Sequence, residues 1–121
     1  MSNNVYRLLP DGDPVSGMVP SDLTEPEAFT TEDHTELNHT FFETKDGKIL
    51  SGVWEYAPCV EDIEAYPVHE MMTVISGSLT VTNADGTAET FTSGDSFYIA
   101  KGTKLRWEIT DRLRKFYMIA E

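Results

Sequence analysis

The sequence predicts an all-β fold, a sandwich or barrel carrying an irregular N-terminal arm. Three observations lead there. From Glu36 onward, short β-prone runs alternate with turn signals at regular spacing, the pattern of many short strands wrapped around one core. The first 36 residues instead hold Pro10, Pro14, Pro20 and Pro26 among scattered Gly, Ser and Asp, which leaves little room for regular structure. Finally, 121 residues fit one domain comfortably and two only with difficulty, because small domains bury too little surface to stand alone. The expected organisation is an arm over 1–36 and a barrel over 37–121.

Within the arm, Val5–Leu9 reads as a short strand. Thr24 followed by Glu27, with Pro26 in the first turn, predicts one capped helical turn over Glu25–Phe29. The barrel strands are expected at Leu37–Thr44, Lys48–Tyr56, Glu70–Ile75, Ser78–Asn83, Ala88–Phe91, Ser96–Ile99, Lys104–Thr110 and Leu113–Ala120. Asp46-Gly47 and Asp85-Gly86 lie between extended runs and supply the positive φ of tight hairpin turns. Gly77, Gly94 and Gly102 break the pattern where a strand must bend or reverse.

A net charge of −12 repels phosphates and anionic membrane surfaces, so neither nucleic acid nor membrane is an expected partner. The apolar runs are too short to span a bilayer, and the N-terminus lacks the pattern of a signal peptide; a cytoplasmic protein is expected. Bases concentrate near the C-terminus at Lys101, Lys104, Arg106, Arg112, Arg114 and Lys115, opposite an acidic N-terminal half. These charges line solvated strand faces or, in a sharper reading, join copies of the chain. The lone Cys59 has no disulfide partner and no companion His, and reads as a structural thiol.

The glycine spacing carries a resemblance. Glu70 followed by six residues and Gly77, and Gly94-Asp95 with Gly102, match the frames of the two cupin motifs, G(X)5HXH(X)3,4E(X)6G and G(X)5PXG(X)2H(X)3N. With Gly52-Val53-Trp54-Glu55, Tyr66, Trp107 and Arg114-Lys115-Phe116-Tyr117, the stretch Gly52–Tyr117 resembles small cupins of the EutQ-like group and the cupin domain of ureidoglycine aminohydrolase. The resemblance implies a double-stranded β-helix, or jelly roll. It also implies a divalent metal held by the motif histidines and Glu, but here Glu64, Tyr66 and Leu105 occupy the His positions, Ile109 the Asn and Ala100 the Pro. Glu64, Tyr66 and Glu70 offer hard oxygen donors without imidazole, so no cofactor is expected and stable metal binding is doubtful.

Strand parity bears on the same site. Glu64, Tyr66 and Glu70 share a face if the strand runs unbroken through Pro67, and a bulge there would shift the register. His69 then points away, while His34 and His39 lie outside both motifs. Leu105, Trp107 and Ile109 alternate with Lys104, Arg106 and Glu108, which sends the apolar face inward.

The expected interior is therefore an aromatic cup of Trp54, Tyr56, Tyr66, Trp107 and Tyr117, with Leu105, Glu64 and Glu70. Such a cup suits a small polar or amine-containing metabolite, although small barrels also fill themselves with aromatic rings. Lys115 sits on a strand apolar on both faces, so periodicity leaves its orientation open. If it points inward, it forms either a structural ion pair with Glu70 or an acid–base couple. The candidate functions are a metal-free small-molecule binder and an enzyme using Glu70 with Tyr66 or Lys115 as acid and base. A homodimer is expected because jelly-roll edges must be covered, with the arm long enough to cross to a partner or to fold back.

Overall fold

A computed structural model describes residues 4–121 and shows an antiparallel jelly roll. Its strands are β1 (Val19–Pro20), β2 (Glu36–Glu43), β3 (Ile49–Tyr56), β4 (Cys59–Ile63), β5 (His69–Asn83), β6 (Ala88–Thr92), β7 (Ser96–Ile99) and β8 (Leu105–Ala120), with one 3-10 turn at Pro26–Ala28. The long strands β5 and β8 pair along almost their whole length and belong to both layers. Their outer halves, His69–Val74 and Lys115–Ala120, continue into β7 on one side and into β3, β2 and β1 on the other. Their inner halves, Leu79–Asn83 and Leu105–Ile109, carry β6 and β4.

What closes the two layers is the shared bend at Gly77. The β5–β8 register shifts between Val74 and Leu79, and the inward parity on β5 changes from Glu70, Met72 and Val74 to Leu79 and Val81. Gly77 has φ +81, and a Cβ there would stand 1.9 Å from the carbonyl oxygen of Arg112, so neither the conformation nor the space admits a side chain. The runs expected as separate strands on either side of Gly77, and on either side of Asp111, are thus single strands that fold over a corner.

Several other expectations change. Val5–Leu9 forms no strand, and Val5 is exposed; the arm pairs with β2 through Val19–Pro20 instead. Cys59–Ile63 is a strand that the sequence reading does not include, its short run interrupted by Glu61-Asp62 and set between Pro58 and Glu64. The helical turn is present, but Thr24 does not cap it: Glu25 holds that position without a side-chain bond. Thr24 instead donates its backbone N–H to Glu36.

The arm folds back on its own barrel. Glu36 is buried and accepts the Ser21 hydroxyl, the Leu23 N–H at 3.1 Å and the Thr24 N–H at 2.8 Å. Burial works against its charge, but these donors outweigh it and hold the carboxyl below its ordinary range. On the outer face, the buried Glu55 binds Arg112 and Arg114, which in turn reach Asp33 and Asp11 of the arm. The basic stretch is consequently no single patch. Arg106 pairs with Asp62, Lys104 with Glu64, and Lys115 is buried.

Candidate functional site

Alternation along β3 and β8 builds the interior. Trp54 and Tyr56 lie two residues apart on β3, stacked at 5.3 Å between ring centroids, and Trp107 meets Tyr56 edge-on at 6.3 Å. The register Trp54↔Lys115↔Val74 turns Lys115 inward, which resolves the orientation that periodicity left open. Lys115 is 1% exposed, and its Nζ donates to Glu70 Oε2 at 2.7 Å and contacts Met72 Sδ at 3.0 Å. The same nitrogen lies 4.8 Å from the Trp107 ring centroid, 5.5 Å from Tyr56 and 5.7 Å from Trp54, inside the range of cation–π attraction. Tyr66 donates its hydroxyl to Glu70 Oε1 at 2.7 Å, so each carboxylate oxygen has a donor. Of the alternatives for Lys115 and Glu70, the geometry is that of a structural ion pair.

In front of this pair lies a cavity of about 110 Å³, lined by Leu23, Thr24, Trp54, Tyr56, Glu61, Ile63, Tyr66 and Trp107. Two of its groups stand out chemically. Trp54 Nε1 is buried with no hydrogen-bond partner, and an unpaired buried donor costs about 1–3 kcal/mol. Glu61 is held above its ordinary carboxylate range by burial and by the neighbouring Glu36 and Glu25. Burial, with Glu70 adding to it, also pushes the Tyr66 and Tyr56 phenols well up, so both stay protonated donors. The cavity therefore combines ring walls with a carboxylate kept in an unfavourable setting, and one of its rings, Trp54, carries a buried donor without a partner.

The expected cup is only partly realised. Trp54, Tyr56, Tyr66 and Trp107 line the cavity, whereas Glu70 and Lys115 sit behind the rings. Glu64 is corrected: β4 ends at Ile63, the chain bends through Pro67, and the carboxylate faces solvent, with Lys104 at 3.7 Å and its side chain 85% exposed. Leu105 is core but opens onto a separate groove of about 510 Å³ between β6 and β7. Tyr117 packs against Trp54 at 5.2 Å, yet its hydroxyl donates to Asn38 on β2 and does not reach the cavity. The larger groove is a weaker candidate, since Glu61 with its perturbed carboxyl and Trp54 with its unpaired N–H both line the smaller cavity.

Sequence reasoning missed Glu61, Thr24 and Leu23. Glu61 had a signal, because Cys59 and Ile63 flank it at the same parity and pair with the inward Ile109 and Leu105. Thr24 and Leu23 had none: Glu36 brings them to the cavity from the arm. Cys59 is fully buried, and burial with Glu61 and Glu36 pushes its thiol up to about 12, which leaves no thiolate for chemistry at neutral pH. His69 accepts the Lys101 N–H and stacks on Tyr98, away from Glu70.

A model of the EutQ-like cupin domain matches residues 43–117. The chain belongs to this family. Among solved structures, this cupin is similar to a DUF861-family protein of unknown function from Pseudomonas syringae pv. tomato, with 25% identity and a TM-score of 0.78. That match covers 90% of the present chain and 46% of the other, so the cupin spans about half of that protein. It shares its fold with the EutQ protein of Clostridium difficile at 22% identity and TM-score 0.59, covering 83% of this chain and 80% of that one. A putative ethanolamine utilization protein from Salmonella typhimurium gives 20% identity, TM-score 0.60, and coverage of 74% and 72%. No curated protein matches the sequence.

The metal implied by the cupin motifs does not fit these residues. Of the four ligand positions, Glu64 is in solvent, Leu105 is apolar, and Tyr66 and Glu70 are bonded to each other. The remaining Glu70 oxygen is taken by an ammonium. Among the described residues no three His, Cys, Asp or Glu side chains come together as a metal cluster.

Proposed function

We propose that the protein is a cytoplasmic small-molecule-binding cupin whose ligand occupies the cavity between Trp54, Tyr66, Trp107 and Glu61. The observation that carries this reading is a ring-walled cavity lined both by Glu61, whose carboxyl is perturbed, and by Trp54, whose N–H is buried without a partner. A ligand acceptor that enters beside Trp54 satisfies that N–H, and an N–H or O–H on the same molecule offsets the desolvation of Glu61. Small polar metabolites bearing an amide, ureide or amino alcohol group have that pairing. Catalysis by Glu70 with Tyr66 or Lys115 has less support. Both Glu70 oxygens are engaged, and Tyr66, its phenol raised by burial, stays protonated and is a reluctant acid with no phenolate to act as base.

The chain has two tryptophans, and both line the cavity, so intrinsic fluorescence reports directly on the site. Titration with small amides, ureides and amino alcohols is expected to give a saturable change in emission. Trp54→Phe, which removes the indole N–H and trims the ring while keeping an aromatic wall, should weaken binding about 5- to 30-fold through the lost hydrogen bond and ring contact. Undiminished binding in that variant would place the ligand elsewhere.

A further inference from the structure

We propose that the centre of the barrel is an ammonium site that the chain fills with its own Lys115, in the place that metal-binding cupins give to a divalent ion. The inference is independent of what occupies the outer cavity. It begins with Glu70, a carboxylate only 4% exposed, which must be compensated from within the protein. Lys115 supplies the charge at 2.7 Å and Tyr66 a second donor. The surroundings of Nζ are those of a cation receptor: one carboxylate, one thioether sulfur at 3.0 Å and the rings of Trp54, Tyr56 and Trp107 between 4.8 and 5.7 Å.

A divalent ion ligated to Glu70 would bring a metal–oxygen bond of about 2 Å and so lie within ~5 Å of the Lys115 ammonium. Like charge at that distance, inside a closed apolar shell, opposes the ion. An external amine meets the same obstacle, because its position is already taken by a tethered one. The carboxylate-and-ring cage is thus a cation site by chemistry and a closed one by occupancy, which leaves Glu61 as the carboxylate within reach of a ligand.

The test is chemical rescue. Lys115→Ala removes the side chain beyond Cβ and leaves Glu70 unpaired, and its melting temperature should fall by on the order of 10 °C. Ethylammonium at about 50 mM is expected to recover at least a third of that loss through binding to the folded state. Ethanol, tetramethylammonium and magnesium at the same concentration should recover none. Equal recovery with ethanol would reduce the effect to filling a hole and overturn the proposal, as would the absence of amine-specific recovery. If Lys115→Ala does not accumulate as folded protein, soluble refolding yield in ethylammonium against ethanol is read in the same way. Elemental analysis of the unmodified protein supplies a second arm: a stoichiometric divalent metal in it would overturn the assignment regardless of the variant.

Discussion

Glu61 is the residue whose titration is most informative. Its carboxyl lies above the ordinary value of 4.5 in the folded chain, chiefly through desolvation, so the folded state holds a proton that the unfolded state has released. The contribution to stability therefore falls as pH rises from about 4.5 through the elevated folded value, and stays unfavourable above it. Glu61→Gln is expected to melt higher than the parent at pH 7, by on the order of 2 °C given the partial exposure of the group. The difference should vanish below about pH 4, where both forms are neutral. Thermal melts across that range check it. The same substitution should weaken ligand binding, since a group kept at a cost to stability in a cavity is the usual signature of a site.

At the scale of elements, the pair β5 and β8 decides whether there is a barrel at all. The corner at Gly77 combines positive φ with backbone contact, whereas Gly94 and Gly102 have positive φ but open space where a Cβ would go. The two situations separate strain from collision. Gly94→Ala should cost about 1 kcal/mol, the penalty of the left-handed region alone. Gly77→Ala should cost well over 3 kcal/mol or prevent folding, because the corner must open to clear the Arg112 carbonyl. Urea unfolding of the two variants side by side is the measurement. Equal costs would show that the corner yields more easily than its geometry implies.

Across the whole molecule, the arm covers one part of the outer sheet and leaves another bare. Tyr98, Met71 and Met118 stand in register across β7, β5 and β8 and are 59%, 47% and 44% exposed. With Ile49 they form an apolar strip, and Leu8, Thr73 and Phe116 border the same face without a carboxylate among them. In a chain of net charge −12, such a strip is where two copies meet with least repulsion. We expect a homodimer through this face, seen by light scattering as twice the 13.6 kDa chain mass. Met71→Glu with Met118→Glu should return a folded monomer. The arm is expected to contribute little, since Asp11 and Asp33 are already paired within their own chain.

Turn glycines, strand alternation and the run of prolines were enough to establish an all-β barrel behind an irregular arm, because these signals depend on backbone conformations that act locally. The inward face at the start of β8 was legible for the same reason: side chains two apart share a side, and Leu105 and Trp107 lie inward as alternation required. Glu70 and Tyr66 were legible through their place relative to Gly77. Only the tertiary structure decided the rest. Lys115 turns inward because it is in register with Trp54 and Val74, information held in neighbouring strands and absent from its own apolar-on-both-sides run. Glu64 fell out of the site because it follows the inward-paired Ile63 where β4 ends and the chain bends, so the parity that tied it to Tyr66 and Glu70 does not hold there. Thr24 and Leu23 entered it through contacts with a Glu36 that lies 12 or more residues away in sequence. Alternation along one strand reports which side a residue faces, but which side chains face each other depends on pairing between strands, and a single strand does not encode that.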